Sequence, residues 1–188
     1  WLTITSPATG SGPASITYRV DQNASAPRTA TLTVGGQLCT IVQAGTAPLF
    51  TRYLAEGATG PFFDCRLAFA NPSPTLTGTV LCRFLKRDAT VVTTSFTLGP
   101  SRRRTIDVKS VPGMETAEVS TTVESDVPVA VDRTMSWDAT GYGSHAETAI
   151  EAPATTWYLA EGATHSGFQL YYTVQNPGDA GADVEVTY

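Results

Sequence analysis

The chain of 188 residues holds only two lysines, two histidines and three cysteines, and 15% of its residues are charged. A charged fraction below the roughly 25% of ordinary domains excludes a disordered polyelectrolyte. A formal charge of -5 sets the chain against nucleic acid, whose phosphates need a basic surface. No apolar run approaches the ~20 residues of a membrane-spanning helix, and the first residues lack the basic, apolar and small-residue order of a signal peptide. Catalysis near neutral pH usually needs a histidine, and His145 and His165 are the whole supply. No HxH, HExxH, GxSxG or CxxC occurs. The expectation is therefore no enzyme, no cofactor, no metal site and no membrane insertion.

What the sequence does have is thirty threonines, 16 glycines and 12 prolines. Thr and Val favour strands while Pro and Gly interrupt helices, so the composition points to an all-β protein. The chain also resembles itself. Tyr53-Leu-Ala-Glu-Gly-Ala-Thr59 returns unchanged as Tyr158 to Thr164, 105 residues later. At that offset Phe63 meets Phe168, and Asn71-Pro72 meets Asn176-Pro177. After a one-residue deletion, Val80, Cys82 and Phe84 fall on Val184, Val186 and Tyr188. Such a period is the mark of a repeat array.

Within the repeat the apolar period is two. Phe63, Cys65, Leu67 and Phe69 alternate with polar or small residues, as do Val80, Cys82 and Phe84. Further runs follow at 90–98, 102–109, 115–124, 127–137 and 144–151, parted by turn residues such as Gly99-Pro100 and Pro112-Gly113. Short strands at this spacing predict tandem immunoglobulin-like antiparallel β-sandwiches. Three segments result: 1–46 as a partial sandwich, 47–152 as one complete repeat, and 153–188 as the first strands of a second copy. In the first segment, strands are expected at Trp1–Thr5, Ile16–Val20, Arg28–Val34 and Gln37–Gln43. Gly35-Gly36 is the hairpin turn, setting Leu32 opposite Cys39 and Ala30 opposite Ile41. Both terminal segments read as incomplete domains.

If strands 63–69 and 80–85 form a hairpin, Cys65 stands opposite Cys82. A bridge between them would close a loop of about 16 residues and stabilise by about 3 kcal/mol. Their counterparts, Leu170 and Val186, are plain core residues, so two buried thiols remain the alternative. Cys39 is expected as a buried thiol. His145 reads as lying on the outer face of its strand with Glu147 and Glu151, and a solvated strand face is preferred there over a surface metal site. Arg102 and Arg104 share a strand face and suit an edge or an interface. Tyr142, Tyr171 and Trp157 are the aromatics best placed to stack on a sugar. In the repeated heptapeptide, Gly57 and Gly162 are expected at positive φ, with Glu56 and Glu161 capping backbone donors.

Trp1-Leu-Thr-Ile-Thr-Ser6, Gly10, Gly12, Val20, Asn23, Arg28, Leu32, Val34 and Val42-Gln-Ala-Gly45 resemble the C-terminal part of BACON-type domains. That family is a bacterial immunoglobulin-like sandwich, often attached to carbohydrate-active or surface proteins. The heptapeptide, with Ser125-Asp-Val-Pro-Val129, Asp132-Arg133-Thr-Met135 and Trp137, resembles tandem β-sandwich repeats of large secreted bacterial proteins. The resemblance implies a secreted or cell-surface structural module, part of an array, stalk, adhesin or filament. Its implied partners are other copies of itself, adjoining domains of a longer chain, or surface glycans. Interrupted sandwiches expose unpaired edges, so completion by strands of another chain is one expectation. Trp157, Tyr158, Val184, Val186, Tyr188, Arg102 and Arg104 are then the interface candidates. The alternative function is a carbohydrate-binding module.

Overall fold

The period of two is answered by strands almost throughout in the computed structural model, which describes residues 1–23, 27–45, 49–138 and 143–188. Contacts divide the chain into two units, Trp1–Leu49 and Phe50–Tyr188.

In the first unit β1 (Leu2–Ile4) pairs antiparallel with β2 (Tyr18–Val20), and β3 (Arg28–Val34) pairs with β4 (Gln37–Gln43). The turn residues Gly35 and Gly36 take φ of 56° and 82°, which a side chain would resist. Leu32 thereby faces Cys39 and Ala30 faces Ile41, as the turn requires. Arg28 ties this unit together. Its Nε donates to Gln43 at 2.9 Å, an Nη donates to the Asp21 carbonyl at 2.7 Å, and the guanidinium lies 4.6 Å from the centre of the Trp1 ring. Cys39 departs from expectation because it is exposed. Hairpin pairing gives a strand neighbours in the plane of the sheet but no layer above it, and burial needs that layer.

The second unit is an antiparallel β-sandwich. Its strands are β5 (Phe50–Leu54), β6 (Ala58–Thr59), β7 (Phe63–Ala70), β8 (Gly78–Lys86), β9 (Val91–Leu98), β10 (Arg103–Asp107), β11 (Ala117–Ser125), β12 (Ala130–Trp137) and β13 (Gly143–Thr148). One sheet runs β10-β7-β12-β13 and the other β5-β11-β8-β9, with β6 also on β11. A 3-10 turn at Val108–Ser110 is the one helical element among the described residues. Cys65, Leu67 and Phe69 of β7 meet Val80, Cys82 and Phe84 of β8 in a single core, with Val123, Val131 and Met135. Phe69 meets Phe96 edge to face across the sheets, ring centres 5.1 Å apart.

This topology corrects the hairpin expected between β7 and β8. The two strands are consecutive in the chain and lie in opposite sheets. β7 is bonded to β10 and β12, and β8 to β9 and β11. Cys65 stands opposite Met135, while Cys82 stands opposite Val123 and Thr94. Both sulfurs are buried free thiols, so the candidate disulfide is not formed.

The same topology explains residues 151–188, where the repeat predicts strands and the structure has none. Its apolar segments correspond to β7 and β8, which in the first copy lie in opposite sheets and are not each other's partners. They still hold part of the repeat's geometry. Asn71 donates its amide to the Leu76 carbonyl and accepts from the Ser73 N–H. Asn176 does the same with Ala180 and Gly178, their counterparts. The Tyr172 and Tyr188 rings, at the places of Leu67 and Phe84, lie 6.2 Å apart. Gln175 donates to Thr122 Oγ1 at 3.2 Å, on the outer face of β11.

Candidate functional site

The repeated heptapeptide spans the end of β5 and β6, and Tyr53, Glu56, Gly57 and Thr59 each have a partner there. Tyr53 exchanges two backbone hydrogen bonds with Ile150, joining β5 to the end of β13. Leu54 is buried in the core. The Gly57 carbonyl accepts from Val119 N–H at 2.8 Å. A Cβ on Gly57 would lie 3.0 Å from Val119 Cγ2, so close approach requires this glycine, not the positive φ expected from the sequence. Thr59 donates to the Met114 carbonyl at 2.7 Å and accepts from Ala117 N–H at 3.0 Å. It thereby fastens the segment leading into β11.

Glu56 also departs from expectation. Among the described residues it caps no helix or turn donor in the expected manner, and it meets a charge buried inside the sandwich. Arg133 of β12 faces the core together with Val131 and Met135, and its side chain is 1% exposed. One Nη donates to the Glu56 carbonyl at 2.6 Å, and the other lies 3.2 Å from the Glu56 carboxylate and 3.2 Å from that of Glu147. A guanidinium buried so fully must be paired, because its desolvation would otherwise cost several kcal/mol. Its Nε has no hydrogen-bond partner among the described residues.

His145 completes the cluster, on the face opposite to the one the sequence indicated. Its register partner is Met135 and that of Glu147 is Arg133, so both point to the core side of the sheet. They are exposed because β13 is an edge strand, and alternation alone cannot separate an outer face from an uncovered inner one. His145 Nδ1 lies 3.4 Å from the Arg133 guanidinium and Nε2 lies 3.4 Å from Glu56. A guanidinium only donates, so it can bond to Nδ1 only while that nitrogen carries no proton. The imidazole also lies edge-on to Trp137, centres 5.7 Å apart. Beside them, burial pushes the Cys65 thiol up to about 11, against the opposing pull of Arg133. Burial pushes Cys82 up to about 12. Neither thiol is poised as a nucleophile.

The arrangement clamps β12 and β13 to the heptapeptide. Arg133 is too enclosed to receive an anion, and no group of three or more His, Cys, Asp or Glu among the described residues could hold a metal. A separate cavity of 230 Å³ between Pro72, Val129, Val131 and Ala149 is flanked by Arg52 and Glu151, which pair at 3.0 Å. It contains neither histidine nor cysteine.

The other candidate residues are scattered. Trp157 is 56% exposed with its Nε1 donating to the Ala154 carbonyl, and Tyr171 is 74% exposed with its hydroxyl donating to Gln169. Tyr142 lies outside the described residues. Tyr158, Val184, Val186 and Tyr188 are all exposed. Arg102 precedes β10, an edge strand, and Arg104 within it lies 4.5 Å over the Phe96 ring. The sequence signal for the cluster was the pairing of a repeated glutamate with an arginine at an inward strand position.

No protein-family model matches the chain, and no curated protein matches it. Among solved structures it is similar to the one titled "Crystal Structure of Thermotoga maritima 1070", at 14% identity with a TM-score of 0.51, over 55% of this chain and 94% of that one. At such identity the likeness concerns the fold alone, and what it supports is the all-β sandwich.

Proposed function

We propose that the chain is a non-catalytic structural module of an extracellular bacterial array, stalk, adhesin or filament, in which strands supplied from elsewhere complete the partial sandwich. The observation that carries this reading is the repeated heptapeptide. In the first copy its glutamate, glycine and threonine all serve the joining of the sheets. In the second copy the same residues precede an apolar face that is uncovered, with Val184 60% and Tyr188 95% exposed. A recurring sequence whose residues serve the fold is what an array needs, since each unit must join its own sheets before it can join a neighbour. The extracellular setting is supported by the resemblance to repeats of secreted proteins. The partner is another copy or an adjoining domain.

Light scattering across a concentration series, with negative-stain microscopy, tests this. The full chain should associate end to end, and a chain ending at Ala152 should stay monomeric. A shortened chain that assembles as well as the full one would rule out completion through residues 157–188.

A further inference from the structure

The arginines of this acidic chain fall into two groups. Arg19, Arg52, Arg83, Arg87 and Arg133 each stand within 3.2 Å of a carboxylate. Arg102, Arg103 and Arg104 reach no carboxylate among the described residues, although the chain holds 17 acidic residues against 12 basic ones. Three like charges in succession repel one another. In extended chain Arg102 and Arg104 point to one side and Arg103 to the other, so the pair that can act together is Arg102 and Arg104.

Both members of the pair are held in place. The Arg104 guanidinium is set 4.5 Å over the centre of the Phe96 ring, and that ring is only 9% exposed, so it is a fixed platform. A cation–π contact covers one face of the guanidinium, leaves its in-plane N–H donors unused and does not neutralise its charge. Arg102 is placed through its backbone, for its carbonyl accepts from the buried Asn71 N–H at 2.9 Å and the Ser101 N–H donates to the Ser73 carbonyl at 2.9 Å. Its side chain runs beside Gly99, where a Cβ would lie 3.5 Å from Arg102 Cγ. The two guanidiniums therefore leave the sandwich where β9 passes into β10, separated by two residues of extended chain, roughly 6–7 Å. Asp107, the acid of β10, falls by alternation on the side of Arg103 and accepts from the Lys109 N–H.

We propose that Arg102 and Arg104 form a binding site for an acidic polysaccharide, whose uronate or sulfate groups are taken by the two forked guanidiniums. The site adds a ligand to the module and does not depend on strand completion. Duplex nucleic acid carries a charge every ~1.7 Å and would press against a chain of net charge -5, more than two guanidiniums offset. An acidic peptide would have to lie along β10 as a strand. β10 begins at Arg103, and Ser101 at φ 50° turns the chain just before it, so such a strand would reach Arg104 and leave Arg102 beyond its end. A polysaccharide needs no backbone pairing and meets both.

The test titrates the full, isotopically labelled chain with polygalacturonate and with heparin, using neutral dextran as the control and the arginine Nε–H signals as the readout. At least one acidic polysaccharide should bind, shift the Arg102 and Arg104 signals, and weaken with salt as expected for release of about two counterions. Arg102→Gln with Arg104→Gln should cost about tenfold or more. Arg19→Gln with Arg87→Gln removes the same charge from arginines already paired to Asp21 and Glu118, and should change affinity less than about twofold. Arg104→Lys keeps the charge and the fold but loses the fork, and should weaken binding several-fold. Equal losses for the two double variants would reduce the site to diffuse charge and overturn it. Tighter binding of an aspartate-rich peptide or of duplex DNA at the same signals would overturn the polysaccharide assignment, and failure of both acidic polysaccharides to bind would overturn the site itself.

Discussion

Arg133 and Glu56 lie 77 residues apart in sequence and meet at the open edge of the sandwich, where guanidinium and carboxylate are 3.2 Å apart. The arginine is 1% exposed and the glutamate 31%, so the two partners are unequal in what their loss would do. Arg133→Ala removes a core-filling side chain and leaves Glu56 and Glu147 facing each other. It should destabilise by about 3–5 kcal/mol. Arg133→Met keeps most of the volume and lets the carboxylates turn to water, so its cost should be smaller. Glu147 is 53% exposed and shares the arginine with Glu56, so Glu147→Gln should cost under about 1 kcal/mol. Urea unfolding followed by circular dichroism reads all three. A loss for Glu147→Gln as large as that for Arg133→Ala would show that the clamp is misassigned.

Gly78 opens β8 in a buried position, and a Cβ there would fall inside contact distance of Val127 Cγ2. Val127 is itself 5% exposed and stiff at χ1, so it has little room to yield. Gly78→Ala should therefore destabilise by about 1–3 kcal/mol through overpacking. Adding Val127→Ala should recover part of the loss, although Val127→Ala alone is harmful. Thermal unfolding of the two single variants and the double variant decides it: additive losses would mean that the clash does not exist.

The sequence showed the strands better than it showed their neighbours. The alternations of β7, β8, β11 and β12 were readable because burial of one face imposes a period of two. Register in the β3–β4 hairpin was readable because two glycines fix the turn. Pairing of β7 with β8 was misjudged because a short connection between strands fits a hairpin and a crossing between sheets equally well. The positions of Cys65 and Cys82 followed that error. Glu56 was seen to repeat, yet its partner lies 77 residues away across the sandwich, and no local pattern links them. His145 was assigned to the wrong face because an edge strand exposes its inner side too.

Thiol chemistry separates the three cysteines. Cys39 is exposed and the other two are buried, so under native conditions a maleimide should label one thiol per chain, and after denaturation three. Burial raises Cys65 from 9.0 to about 11 and Cys82 from 9.0 to about 12. The folded state thus favours the neutral thiols. Their contribution is fully present below about pH 9 and is lost as pH rises through 11 and 12. A Cys65→Val, Cys82→Val chain should lose less stability than the parent between pH 9 and 12, with no difference in pH dependence below 9. Rapid native labelling at all three sites would contradict the buried placement.

Asn71 and Asn176 form the same loop in two copies, one buried and one exposed, and should answer the same substitution differently. The Asn71 amide donates to the carbonyls of Leu76, Leu98 and Gly99 while its oxygen accepts from Ser73 N–H. Two of these bonds, to Leu98 and Gly99, hold the β7–β8 connection and the end of β9 against each other, and Asn71 is 2% exposed. Asn71→Ala strands those groups away from water and should cost about 2–4 kcal/mol. Asn71→Asp should cost at least as much, since a carboxylate would face carbonyl oxygens. Asn176→Ala breaks only the exposed bonds to Ala180 and Gly178, so global stability should change by less than about 0.5 kcal/mol. Exchange of the Gly178 amide should nonetheless quicken. Equal losses of global stability at the two sites would mean that the second copy is packed as firmly as the first. Its uncovered apolar face excludes that, unless a partner strand is already bound there.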